Sequence, residues 1–250
     1  MVPATLLRAR SNADARVLAQ ADWLLRRKCD GHYLAARLPH GLMPLVPRLA
    51  REPGLDEALD RLQNATMRCH QGDESVLAVE GLQHRLTRLG LVADDYVQRT
   101  GLRLIAEPAT LQFAGRDRFG RPLWLSAGAA RGWRQLRAAA LRADIVLDAI
   151  SGYRSHDYQL GIFDRKFARG LTLEQILAVN AAPGFSEHHS GDALDIGTPG
   201  EPPAEESFEA TAAFAWLGSH AGQFGYRLSY PRHNPHGIVY EPWHWRWHAP

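Results

Sequence analysis

Cysteine is nearly missing: Cys29 and Cys69 are the only two in 250 residues, and neither sits in a Cys-x-x-Cys spacing. That excludes a thiolate metal knuckle and a disulfide scaffold. Two core thiols or one bridge between them both remain open, because spacing alone does not bring two Cα atoms within bonding reach. Lysine is as scarce, at Lys28 and Lys166 alone, and the longest basic block is Arg26-Arg27-Lys28 in a chain of formal net charge +2. No basic stripe offers itself to phosphate backbones, so nucleic acid is not an expected partner. No apolar run approaches the roughly 18 residues of a membrane span. The N-terminal segment also lacks the continuous apolar stretch of a secretory signal. As written, the chain is expected to be soluble and unexported; its oligomeric state leaves no mark in the sequence.

What is present suits a globular protein. Apolar residues make up 45% and charged residues 22%, enough to bury a core without forcing disorder, and the length fits two modest domains. Residues 1–97 are expected to form a helical accessory region of unknown function. Apolar spacings of three and four predict helices over Ala13–Lys28, Leu55–His70 and Ser75–Leu89, the last followed by Gly90 in C-cap position. Residues 98–250 change character. A hairpin is expected over Leu111–Ser126 around Asp117–Gly120, a helix over Ala129–Arg142, and a buried strand at Ile145-Val146-Leu147. Further helices are expected over Ser155–Ala168, Thr172–Asn180 and Ala204–Gln223, and strands over Tyr226–Tyr230 and Gly237–Trp247. Strands and helices do not alternate strictly, and several connections are short. The fold class is therefore α+β, a mainly antiparallel sheet flanked by helices.

The chemistry gathers in SEHHSGDALDI, residues 186–196. Along a strand the side chains alternate, so Leu194 and Ile196 face a core while Asp195 shares the other face with the small residues Gly191 and Ala193. An ionised carboxylate there is costly unless a cation answers it. A turn at Ser190-Gly191 swings His188 back toward Asp195, with Ser186 on the same side. A third ligand is available from Tyr240-Glu241-Pro242-Trp243-His244, provided that Pro242 breaks the strand so that Glu241 and His244 act together. Two histidines and one aspartate with an open fourth position are what catalytic zinc requires. Glu241 would then serve as proton carrier, and Arg154, just after the buried strand, as a fixed cation for a developing oxyanion. Gln159 has a softer, substrate-side role. His189 is expected on the opposite face, at the surface or behind the ligands. His233 and His236 are expected in a loop and His248 in solvent. Trp243, Trp245 and Trp247 are expected to pack in the core and on the sheet.

Taken in order, SGYRSHDYQ, SEHHSGDALDI and SYPRHNPHGIVYEPWHWR resemble the VanY-type D-alanyl-D-alanine carboxypeptidases, zinc peptidases that trim peptidoglycan stem peptides. These share a fold with the VanX dipeptidases and the zinc domain of Hedgehog proteins. The resemblance covers about residues 100–250. It implies one zinc ion on His188, Asp195 and His244, Glu241 as general base, Arg154 stabilising the transition state, and Ser186 with Gln159 assisting the substrate. Peptidoglycan stem peptides or muropeptides are the implied partners, and the cell envelope or periplasm the implied location, although relatives of this type usually carry an export signal or anchor. Two alternatives stay open: L,D-carboxypeptidase or L-alanyl-D-glutamate endopeptidase activity, and a non-catalytic zinc module that binds muropeptides or a protein.

Overall fold

The computed structural model of the chain describes residues 2–3, 12, 16–17, 20–21, 23–27, 32–38, 40–63, 82–108 and 111–249. Contacts divide the chain into two units, residues 1–73 and 74–250. In the first, β1 (Val2–Pro3), β2 (Trp23–Arg26), β3 (Tyr33–Leu38) and β4 (Gly41–Pro44) form an antiparallel sheet in that order, and α1 (Leu55–Gln63) follows. The helix expected over Ala13–Lys28 is therefore overturned in its second half. Residues 12, 16, 17 and 20 are helical, but Trp23–Arg26 pairs with β3. Leu24 packs with Ala36 and Leu38, while Leu25 packs with Leu34 and Ala35. A segment that buries successive leucines on opposite sides is a strand, whatever their helix propensity. The N-terminal region is thus mixed rather than helical. Residues 64–81, both cysteines and the first part of the helix expected over Ser75–Leu89 lie outside the described residues.

The second unit begins earlier than position 98. Its helices α2 (Leu82–Arg88) and α3 (Ala93–Thr100) bury Leu82, Leu86, Leu91 and Tyr96 against Ala181, Ala182, Phe185, Tyr230 and Ile238. An amphipathic face belongs to whatever covers it, so the units divide at residue 73 and not at 97.

The hairpin β5 (Gln112–Arg116) and β6 (Pro122–Leu125) lies where its sequence predicts. Its turn is tied by Asp117 Oδ1, which accepts from the N–H groups of Phe119 and Arg121 at 2.9 Å each. Helix α4 (Ala127–Arg142) starts at Ser126, whose side chain accepts from Ala129 N–H. Next come β7 (Asp148–Ser151), α5 (His156–Phe167), α6 (Leu173–Ala178), β8 (Ala193–Gly197), α7 (Ala212–His220), β9 (Tyr226–Leu228) and β10 (His244–Trp247). The main sheet runs β7-β8-β10-β9, antiparallel throughout, and the α+β expectation holds. Trp133, Leu136 and Ala140 on one face of α4 join Leu194, Ile196, Leu217 and Trp245 in its core.

Several boundaries moved, three of them with a clear cause. The strand expected at Ile145-Val146-Leu147 starts at Asp148, because Asp148 and Ala149 pair with Gly197 and Ile196 while Val146 stays exposed. The helix expected over Ala204–Gln223 is interrupted by Thr211, which caps α7 by accepting from Phe214 N–H. The final strand begins at His244 rather than at Gly237.

Candidate metal centre

The Ser-Glu-His-His stretch is not strand. It forms a 3₁₀ turn over Glu187–Ser190, ended by Gly191 at φ +75°, with Gly191 N–H donating to His188 O. Glycine is required there twice over, since a Cβ would meet Ser126 N at 2.9 Å and the φ is left-handed. The reversal feeds β8 and sets Asp195 beside His188, with Oδ1 3.3 Å from His188 Nε2. Antiparallel register then places His244 opposite Asp195. His244 Nδ1 lies 3.1 Å from the same Oδ1. The histidine rings stand edge to face, 4.9 Å apart. One potential ligand atom from each of the three residues lies within 4.8 Å of the others, and all three side chains are buried.

Their hydrogen bonds suit a cation. His188 Nδ1 lies 2.6 Å from Gly152 O and must carry the proton, which leaves the lone pair on Nε2. That nitrogen is buried and, despite its closeness to Asp195, makes no aligned hydrogen bond. An orphaned imidazole lone pair aimed among a carboxylate and a second imidazole is the feature a metal ion satisfies. Burial, with Arg154 nearby, pushes the His188 pKa down to about 4, so the ring is neutral as a ligand must be. Burial opposes ionisation of Asp195, yet His188 and His244 hold its carboxyl below the usual range. Burial likewise opposes a charged His244, but the carboxylates of Asp195 and Glu187 raise it to about 10 in the metal-free protein. A cation would displace the proton on Nδ1.

Glu187 was not foreseen. Its Oε2 accepts from His244 Nε2–H at 2.9 Å and its Oε1 from Arg246 Nη1 at 3.1 Å. Burial alone would raise its pKa; His244, Ser229 and Arg246 outweigh that and hold it at about 2. A carboxylate on the far nitrogen fixes ring orientation and tautomer in histidine metal sites. The sequence signal was present, a glutamate next to His188, but only the sheet shows that it serves His244.

The expected break at Pro242 is present: His244 N–H donates to Glu241 O at 3.1 Å, closing a turn. Glu241 Oε2 thereby comes within 3.8 Å of His244 Nδ1. Burial raises the Glu241 pKa to about 7, with His244 and Arg154 pulling down and Asp195 and Glu187 pushing up. One cavity of about 420 Å³ is lined by Arg154, Gln159, Ser186, His188, Asp195, Glu241 and His244, every residue singled out from the sequence. Arg154 Nε is buried without a partner. Gln159 donates to Ala181 O at 2.9 Å, which leaves its Oε1 buried and unpartnered. Lys166, outside every motif, and Tyr230, inside SYPRHNPHGIVYEPWHWR but given no role there, also line the cavity.

His189 takes the second of its two expected placements, behind the ligand candidates, but by turning inward rather than to an opposite strand face. It is wholly buried, its Nδ1 lying 2.6 Å from Arg154 O and its Nε2 accepting from Gly184 N–H at 3.0 Å. A 3₁₀ turn does not alternate faces as a strand does, so both neighbouring histidines turn inward. His236 is a loop residue bonded to Thr100 O, and His248 is exposed. Trp245 is in the core, with Trp243 and Trp247 packed against it.

Residues 122–250 match the family model described as VanY, D-alanyl-D-alanine carboxypeptidase. The chain is 34% identical over 119 residues to the D-alanyl-D-alanine carboxypeptidase of Enterococcus faecalis (strain ATCC 700802 / V583), covering 43% of this chain and 42% of that protein. It is 31% identical over 132 residues to the bifunctional D-Ala-D-Ala dipeptidase and D-Ala-D-Ala carboxypeptidase VanXYC of Enterococcus gallinarum, covering 50% of this chain and 67% of that protein. Among solved structures, the LdcB LD-carboxypeptidase superposes with a TM-score of 0.52 at 32% identity, covering 56% of this chain and 69% of that one. The chain spans less than half the length of several curated relatives that it matches.

Proposed function

The chain belongs to the VanY family of D-alanyl-D-alanine carboxypeptidases, and we propose that it is a zinc-dependent carboxypeptidase hydrolysing the peptide bond before a C-terminal D-alanine in peptidoglycan stem peptides. The observation that carries this reading is the meeting of His188, Asp195 and His244 within 4.8 Å of one another, in the same cavity as Glu241 and Arg154. His188, Asp195 and His244 would hold the ion. Zinc, when bound, supplies a Lewis acid that polarises the scissile carbonyl and acidifies water.

The chain's own residues do the rest. Glu241 accepts a proton from the attacking water as the C–O bond forms, then delivers it to the departing amine as the C–N bond breaks. Its pKa of about 7 in the metal-free protein suits a group that must take and return a proton near neutrality. Arg154 sets a permanent positive charge against the tetrahedral oxyanion. Ser186 and Gln159 hold the substrate, the latter through its free Oε1. The products are free D-alanine and a stem shortened by one residue. Such peptides belong to the cell wall, so the protein acts in the cell envelope. No described helix is long and apolar enough to cross a membrane.

The test combines the metal content of the purified protein with digestion of defined penta-, tetra- and tripeptide stems, the products being weighed. One zinc per chain and loss of D-alanine from the pentapeptide are expected. Loss of D-alanine from the tetrapeptide alone would move the reading to L,D-carboxypeptidase, as in the LdcB likeness. Binding of every stem without cleavage would make it a recognition module.

A further inference from the structure

Behind the cavity lies a second buried polar cluster that the proposed mechanism does not use: Glu107, Tyr153, His156 and His189. Its hydrogen bonds converge on the backbone around Arg154. Gly184 N–H can only donate, so His189 Nε2 accepts from it; Arg154 O can only accept, so His189 Nδ1 donates to it. Both ring nitrogens are committed and the tautomer is fixed. Arg154 N–H donates back to His188 O at 3.2 Å, and His188 Nδ1–H donates to Gly152 O. Three bonds thus tie residues 152–154 to residues 188 and 189, the segment bearing the first metal-ligand candidate.

The other side is braced as well. Glu107 accepts from Tyr153 O–H with one carboxylate oxygen and from His156 N–H at 3.0 Å with the other, so it holds the residues on either flank of Arg154 and Ser155. His156 Nε2 lies 2.7 Å from Ile105 O, and its ring stands edge-on to that of His189 at 4.4 Å. Ile105 N–H in turn donates to Gly184 O.

We propose that His189 is a positioning residue: clamped between Gly184 and Arg154, it sets the place of the Arg154 guanidinium relative to the metal-ligand cluster. This rests on the reading of Arg154 as the oxyanion-balancing group. His189 touches no reacting atom and acts only through Arg154. The separation it controls matters, because a misplacement of about 1 Å in a catalytic constellation can cost about 10²-fold in rate.

The experiment is a double-mutant cycle on hydrolysis of a D-alanine-terminated pentapeptide stem by the zinc-loaded full chain, with zinc content measured for each variant. His189→Leu removes both bonds, and kcat is expected to fall about 10- to 100-fold with KM within threefold and zinc still stoichiometric. His189→Gln, whose amide supplies one donor and one acceptor, is expected to restore kcat to within about threefold of the parent. In the Arg154→Ala background His189→Leu is expected to cost nothing further in kcat. Should His189→Leu fail to fold, His189→Asn, too short to span both partners, takes its place in the cycle. An undiminished loss in the Arg154→Ala background, or zinc loss in step with the kcat loss, would overturn the inference while leaving the assignment of Arg154 intact. An Arg154→Ala variant of full activity would instead remove the assignment on which the inference stands.

Discussion

At the scale of single residues, the site is a set of buried charges that stabilise one another. With Glu241 as the proposed proton carrier, Glu241→Gln should lower kcat by about 10²- to 10⁴-fold without lowering zinc stoichiometry, because its carboxyl is not among the three ligand candidates. Stopped assays on a pentapeptide stem, paired with metal analysis, check this. Glu187 makes a prediction of opposite kind. Its pKa of about 2 in the fold, against an ordinary 4.5, means that the folded state binds fewer protons than the unfolded state between those values. Its contribution to stability is therefore complete above pH 4.5 and is lost as pH falls through about 2. Glu187→Gln in metal-free protein should be less stable than the parent at pH 7 and lose less of its stability over that acid window. Urea midpoints measured from pH 7 to pH 2 would show the two curves converging.

At the scale of elements, the site is made by a reversal and a register. The 3₁₀ turn ending at Gly191 brings His188 back along β8, and the pairing of β10 with β8 sets His244 opposite Asp195. Gly191→Ala meets both a left-handed φ and backbone within 2.9 Å, a strain of about 1–3 kcal/mol. The expected outcome is a lower Tm together with weaker zinc affinity, because the strained residue lies between two ligand candidates. A matched change at Gly222, where a Cβ meets nothing within 4 Å, should alter neither. Melting curves with and without zinc distinguish the two positions. Much of this was legible beforehand. Small residues around Asp195 marked a carboxylate with room beside it, and Pro242 marked the turn that brings Glu241 beside His244. The strand-like alternation of faces expected around His188 gives way to a 3₁₀ turn, and His189 faces inward with it, because a four-residue segment is too short for periodicity to separate the two geometries.

At the scale of the whole molecule, the question is where the second unit begins. Leu82, Leu86, Leu91 and Tyr96 share a core with Ala182, Phe185 and Tyr230, and Phe185 directly precedes Ser186. Burial of each large side chain is worth about 1.5–3 kcal/mol. Four of them together rival the net stability of a domain, about 5–15 kcal/mol. A chain starting at residue 98 should therefore fail to fold cooperatively, whereas one starting at residue 74 should show a single unfolding transition and bind zinc. Urea denaturation with metal titration of both chains checks the boundary.

The sequence alone was sufficient to name the candidates. The antiparallel α+β class and the candidate ligand, carboxyl and arginine positions were legible in short segments and in the motifs they resemble, since periodicity, turn residues and donor chemistry are local properties. Only the tertiary structure decided which partners those segments meet: the strand character of Trp23–Arg26, the inclusion of α2 and α3 in the second unit, Glu187 on His244, and His189 locked between Gly184 and Arg154. Each of those depends on contacts between residues far apart in the chain, or on the shape of a turn closed by such contacts, and local pattern carries no record of them.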